Sequence, residues 1–238
     1  MRKVSICVPC SDHMHTAFVM SLIALIKVTE DWSKRAIEEG EVDQAIDLNI
    51  HFYTGSLLVG SRRDLVKQAL DWGADWILWL DSDMQVSADA LLRLLMRGAD
   101  VVGCNYVRRQ VPTLPVTTGM DDKLYCTNPE DTGLVEVKHT GFGCLLTNTE
   151  LYDEIEEPWF DTQWVIGKET GKILIMGEDV YFFQKVREAG YKVWIDNDLS
   201  QSVVHIGNFE YHNRLARATV EDSLEKGVPL DHVNYDHS

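Results

Sequence analysis

Trp76-Ile77-Leu78-Trp79-Leu80-Asp81-Ser82-Asp83-Met84 is an apolar run that stops abruptly at two carboxylates. A run that is apolar at every position, instead of alternating, has both faces covered, as a central strand of a parallel sheet does. The acids that end it then lie at the carboxyl edge of the sheet, where open α/β folds place their ligands.

The flanking sequence repeats the same grammar. Residues 3–10 read as a short buried strand, and residues 13–39 carry Phe18, Leu22, Leu25, Ile26 and Ile37 at helical spacing. Residues 47–54 form a second predicted strand. Ser61-Arg62-Arg63-Asp64 has the pattern of a capping-box start for a helix ending near Gly73. After the acidic motif, Ser87 is placed to cap a helix running to Arg97, Gly98 closes it, and residues 100–105 are the next strand. Alternating β and α marks a parallel sheet covered by helices.

Beyond Tyr106 the texture changes to short pieces broken by Pro112, Pro115, Gly119, Pro129 and Gly133, which predicts a partly antiparallel region. A helix over 149–156, a hairpin turning at 168–171, a helix over 177–189 stopped by Gly190, and strands at 192–195 and 202–206 follow, then a polar tail. One domain over residues 1–207 is expected, with a first half to residue 105, a second from 106, and residues 208–238 as a lid or tail.

The chain has 238 residues, 45% of them apolar, and a formal charge of −16. That charge argues against nucleic-acid and anionic-membrane partners, and any phosphate-bearing ligand then needs a cation or a local basic group beside it. No stretch approaches the roughly 20 apolar residues of a membrane span, so a cytoplasmic protein is expected. The five cysteines suit reduced thiols, and Cys7-Val8-Pro9-Cys10 has no second pair to complete a zinc site.

Three constellations carry chemistry. Carboxylates at i and i+2 on a strand end offer the hard oxygen ligands that Mg²⁺ or Mn²⁺ prefers, with positions left for phosphate oxygens. Asp196-Asn197-Asp198 is a second copy of the triplet, but its strand is short and Leu199-Ser200-Gln201 reads as a turn, so Asp81-Ser82-Asp83 is the expected metal motif. Glu178 and Asp179 open an amphipathic helix, where acids complement the helix dipole. The two are either dipole partners only or include a general base; adjacent helical residues point about 100° apart, so both cannot be that base equally, and the part is assigned here to Asp179. A helix N-terminus predicts a low pKa for it. His205 ends the last strand and is followed by Ile206-Gly207.

Taken in order, Val4-Ser5-Ile6-Cys7-Val8-Pro9, Ser61-Arg62-Arg63-Asp64-Leu65-Val66, Leu78 through Met84, Thr140-Gly141-Phe142-Gly143-Cys144, Gly177 through Phe182 and Val204-His205-Ile206-Gly207 resemble the A-type (GT-A) glycosyltransferase fold, family 2-like. The resemblance implies a single α/β domain, its mostly parallel central sheet flanked by helices, with a small antiparallel acceptor-side region. It implies transfer of a sugar from a nucleoside diphosphate-sugar, with a UDP-sugar as one candidate, to an acceptor hydroxyl with inversion. Asp83 and His205 would bind Mn²⁺ or Mg²⁺, and Asp81 the ribose or a metal-bound water. Pro9, Cys10, Ser11, Asp12, Arg63, Ser82, Gly141, Phe142 and Gly143 would contact the donor. Asp179 would be the base, with Glu178 beside it. This chain has Arg63-Asp64 where many relatives have Arg-Asn. Tyr106, Arg108, Arg109, Trp159, Phe160 and Trp164 are a possible acceptor wall, and residues 207–217, with Arg214 and Arg217, a possible lid. Two other readings stay open: a non-catalytic sugar-nucleotide or glycan-binding module, and a nucleotidyltransferase, although Val8-Pro9-Cys10-Ser11-Asp12 lacks the glycines of a phosphate loop. Sugar, acceptor and oligomeric state are not legible.

Overall fold

The computed structural model describes residues 2–167, 171–207 and 210–227. The chain runs through β1 (Arg2–Cys10), α1 (Thr16–Glu38), β2 (Ile46–Thr54), α2 (Leu58–Trp72), β3 (Trp76–Leu80), β4 (Met84–Gln85), α3 (Ala90–Met96), β5 (Val101–Gly103), β6 (Thr118–Gly119), β7 (Leu134–His139), β8 (Cys144–Asn148) and α4 (Leu151–Glu154). It continues through β9 (Gln163–Ile166), β10 (Ile173–Met176), α5 (Glu178–Glu188), β11 (Val193–Asp196), α6 (Asn197–Ser200), β12 (Val204–Ile206), β13 (Glu210–Tyr211) and α7 (Asn213–Lys226).

The main sheet has the order β2-β1-β3-β8-β5-β11-β7-β6. Strands β2, β1, β3, β5, β11 and β6 run one way, while β8 and β7 oppose them. This is the expected α/β domain, mostly parallel in sense, with antiparallel strands in the second half. Period two along β1 and β3 divides the core. Val4, Ile6, Val8, Leu78 and Leu80 pack under α1 and α3, with Phe18, Leu22, Leu25, Leu91 and Leu94. Cys7, Ile77 and Trp79 point to the other face, against Leu65, Val66 and Ala69 of α2 and Phe182, Phe183 and Val186 of α5. Both faces are dry, which is why β3 carries no polar residue before Asp81.

Several boundaries differ from the sequence expectation. Helix α2 starts at Leu58 with Leu57 as its N-cap, so Ser61 lies within the first turns, where its hydroxyl donates to Leu57 O. Helix α3 begins after Asp89; Ser87 instead donates to the Asp89 carboxylate. The helix expected over 149–156 shrinks to α4. Gly73, Gly98 and Gly190 all close their helices in the left-handed region, as expected (φ 77°, 63° and 91°). Strands β9 and β10 form the expected hairpin; residues 168–170 of its turn lie outside the described residues. So do residues 208–209 and 228–238, the second group including His232 and His237. Within the expected tail, β13 pairs with β12, and Asn213 at the start of α7 is buried and donates to the backbone carbonyls of Asn105 and Ser200.

Among the described residues no helix is long and apolar enough to cross a membrane.

Candidate functional site

The carboxyl ends of β1 and β3 open onto a cleft of about 420 Å³ lined by Pro9, Cys10, Ser11, Ser61, Asp81, Ser82, Asp83, Arg109 and His205, among others. The topology explains why His205 is there. Strand β4, only two residues long, follows the acidic motif directly and pairs antiparallel with β12, setting His205 opposite Met84. The Ile206 N–H donates to Asp83 O at 2.7 Å and locks the register.

His205 is held on three sides. Its Nδ1 lies 2.7 Å from Val107 O, its ring meets Tyr106 edge to face at 5.5 Å, and its Nε2 lies 3.4 Å from Asp83 Oδ2. The carbonyl can only accept, so Nδ1 carries a proton, and the electron pair of Nε2, bare or protonated, is directed at a carboxylate oxygen. Two lone pairs facing each other need a cation or a proton between them. A backbone carbonyl that fixes the tautomer is also the outer-shell support typical of a metal-binding histidine.

Arg109 Nη2 approaches the same Asp83 oxygen at 3.1 Å. Burial pushes the Asp83 carboxyl up, but the His205 hydrogen bond and the His205 and Arg109 charges outweigh it, and the net position is below the ordinary range.

Arg62 is the site residue that sequence reasoning missed. Only 3% of its side chain is exposed, and it donates from Nη2 to Asp81 Oδ1 at 3.3 Å and from Nε to Glu178 Oε1 at 3.4 Å. Its guanidinium carbon lies 4.4 Å from the Phe142 ring centroid, a cation–π contact. Its Nη1 is buried without a hydrogen-bond partner. One guanidinium therefore ties the end of β3 to the start of α5. A signal was available: Arg62 stands at i relative to Leu65, Val66 and Ala69 at i+3, i+4 and i+7, the buried stripe of α2. Arg63, expected to contact the donor, points outward and pairs with its own neighbour Asp64 at 2.7 Å, and it does not line the cleft.

Asp81 keeps 27% of its side chain exposed to the cleft, yet protein atoms crowd it enough for burial to raise its pKa despite the opposing Arg62 charge. Asp179 also departs from expectation. Burial first, and then the neighbouring Glu178 charge, raise it to about 6; desolvation outweighs the helix N-terminus that predicted a low value. Its Oδ1 accepts the Val180 N–H at 2.7 Å, which leaves Oδ2 for another partner.

The glycines of Gly141-Phe142-Gly143 have a packing cause. A Cβ at Gly141 would meet Tyr106 Oη at 2.0 Å, and one at Gly143 would meet Tyr106 Cζ at 2.7 Å. The Gly143 N–H donates to that hydroxyl, and Phe142 is buried among Trp79, Phe160, Phe182 and Phe183. The expected acceptor wall dissolves in the same way. Tyr106, Trp159 and Phe160 are core residues, Phe160 stacking on Phe182 at 5.1 Å. Only Trp164, Arg108 and Arg109 remain on the surface. Asp12 is exposed and does not line the cleft. Cys7 is a buried thiol pushed up to about 12 by desolvation, the environment of a structural cysteine.

Among the described residues, no group of three or more His, Cys, Asp and Glu side chains is arranged to hold a metal ion. The fit rests on two groups, Asp83 and His205, and hard divalent cations bound to phosphates commonly take few protein ligands and fill the rest with substrate oxygens and water.

No family model matches the sequence, and no curated protein matches it. Solved structures do resemble it. A197 from STIV is 17% identical, with a TM-score of 0.53 and 87% of each chain covered. GalNAc-T7, solved with UDP, GalNAc and Mn²⁺, is 11% identical, with a TM-score of 0.50 over 93% of this chain. S. aureus TarS in complex with UDP-GlcNAc is 15% identical over 89% of this chain and 58% of its own, at a TM-score of 0.45. The chain spans about half of GalNAc-T7, 48%. At these identities the likeness is one of fold, a GT-A-like fold.

Proposed function

We propose that this chain is a metal-dependent glycosyltransferase that transfers a sugar from a nucleoside diphosphate-sugar, a UDP-sugar in the first instance, to an acceptor hydroxyl with inversion. The observation that carries the reading is the convergence of Asp83 Oδ2 and His205 Nε2, 3.4 Å apart, on one cleft at the carboxyl edge of the sheet. UDP and Mn²⁺ in the GalNAc-T7 structure support it.

Asp83 and His205 would hold Mn²⁺ or Mg²⁺, with Asp81 as the secondary contact, and the ion would neutralise the diphosphate as a leaving group. Pro9, Cys10, Ser11 and Ser82 line the cleft beside these ligands and are assigned to the nucleotide. Arg62, not Arg63, is the arginine of α2 that reaches the acidic groups. Buried and held at both ends, it fixes Asp81 relative to Glu178, so that the acidic turn of α5 faces the strand end in one geometry. Glu178 is thereby a positioning acid. Asp179, with Oδ2 unoccupied by Val180, takes the proton of the acceptor hydroxyl. A carboxylate at about 6 is ionised at neutral pH and is a stronger base than an ordinary aspartate.

Asp179→Asn tests this division of labour. Donor binding by calorimetry is expected to remain while transfer falls by roughly 10²–10⁴-fold. Unchanged turnover would remove Asp179 as the base.

A further inference from the structure

Arg109 is the one guanidinium of the site neither buried nor satisfied by its own neighbour: Arg62 is held at both ends, and Arg63 is bound to Asp64. Arg109 reaches Asp83 Oδ2 while 46% of its side chain stays exposed. It rides on a loop with a buried base and an exposed tip. The base is closed by the bridge Val107↔Pro115 and by the Arg108 N–H donating to Leu114 O, and residues 108–112 are exposed. The base is fixed, and the side chain has room to turn.

A divalent cation and a guanidinium compete for one carboxylate oxygen. An ion coordinated at Asp83 Oδ2 would stand beside the Arg109 charge, and like charges at such range repel. A diphosphate arriving with the ion offers anionic oxygens that a guanidinium fork matches in pairs. We propose that Arg109 is an exchangeable counter-ion: it neutralises Asp83 in the empty cleft, yields that oxygen to the cation, and turns to the anionic oxygens of the bound nucleoside diphosphate. This rests on the metal and diphosphate reading of the cleft. Its consequence is positive coupling between cation and nucleotide, because the nucleotide gives Arg109 the partner that the cation takes away, and such coupling is reciprocal.

Calorimetry with Mn²⁺ alone and with UDP in saturating Mn²⁺, on the wild type, Arg109→Gln, Arg108→Gln and Asp83→Asn, tests the exchange. Arg109→Gln is expected to bind Mn²⁺ alone about three- to tenfold more tightly, and UDP with Mn²⁺ about tenfold more weakly, so that the coupling shrinks. Arg108→Gln, which removes the same charge from the same loop, should change each affinity by less than about twofold. Mn²⁺ affinity that is unchanged or weaker in Arg109→Gln overturns the proposal, and so does the same response from Arg108→Gln. If Mn²⁺ binds the wild type, is lost in Asp83→Asn and ignores Arg109, only the counter-ion role falls. If the wild type binds no Mn²⁺ with or without UDP, the metal reading falls and takes this inference with it.

Discussion

Asp81-Ser82-Asp83 and Asp196-Asn197-Asp198 end two parallel-running strands of one sheet, yet the protein uses them in opposite ways. Asp196 is wholly buried. It caps α6 by accepting the Leu199 N–H, and Arg97 grips it with Nε at 2.8 Å and Nη2 at 3.0 Å while also holding Asp198 at 2.8 Å. Every charge there has a partner inside the fold. At the first triplet Arg62 reaches Asp81 alone, and Asp83 is left to an exposed arginine and to His205 Nε2 at 3.4 Å. A carboxylate satisfied by the fold is structural, and one that the fold leaves short of positive charge is available to a ligand.

The largest expected effect is on stability. Asp196→Ala strips a buried partner from Arg97 and removes a helix cap, and should lower unfolding free energy in urea by about 3–5 kcal/mol. Asp83→Ala should stay within about 1 kcal/mol, since its arginine partner is half-exposed and His205 stands off at 3.4 Å. Equal losses at the two sites would erase the distinction.

The smaller effect concerns Asp179, which also lacks full compensation. Its pKa is raised to about 6, so the folded chain holds that proton more tightly than the unfolded one. The ionised form therefore destabilises the fold as pH rises from about 4 through 6. Asp179→Asn should raise stability at pH 7 by up to about 2 kcal/mol, with the gain fading as pH falls from about 6 to about 4 and absent below that. Turnover of the wild type should show an acid limb near pH 6, falling about tenfold per unit below it. A limb near pH 4 would mean that an ordinary carboxylate is the base.

Most of the fold was legible because helix and strand periods are written in β1, α1, β3 and α5, and both-face burial of β3 placed the acidic motif at the sheet edge. What was not legible depends on distance in space. Strand β4 is too short to show a period, so its pairing with β12, which delivers His205, left no trace. Moving the start of α2 from Ser61 to Leu58 leaves Arg62 one turn inside the helix and on its buried stripe, so Arg62 faces the site and Arg63 faces solvent. The glycines at 141 and 143 read as a sugar-facing turn until the Tyr106 ring occupied the space. Local reasoning gave Asp179 a low pKa because the helix N-terminus is local, whereas the burial that reverses it is not.

The most direct test is titration of UDP with and without Mn²⁺ against the wild type, Asp83→Asn and Asp198→Asn. UDP binding should require Mn²⁺, vanish in EDTA and in Asp83→Asn, and persist in Asp198→Asn. Binding that is equally strong without the metal, or that survives in Asp83→Asn, would contradict the assignment of Asp83 and His205 as the cation seat.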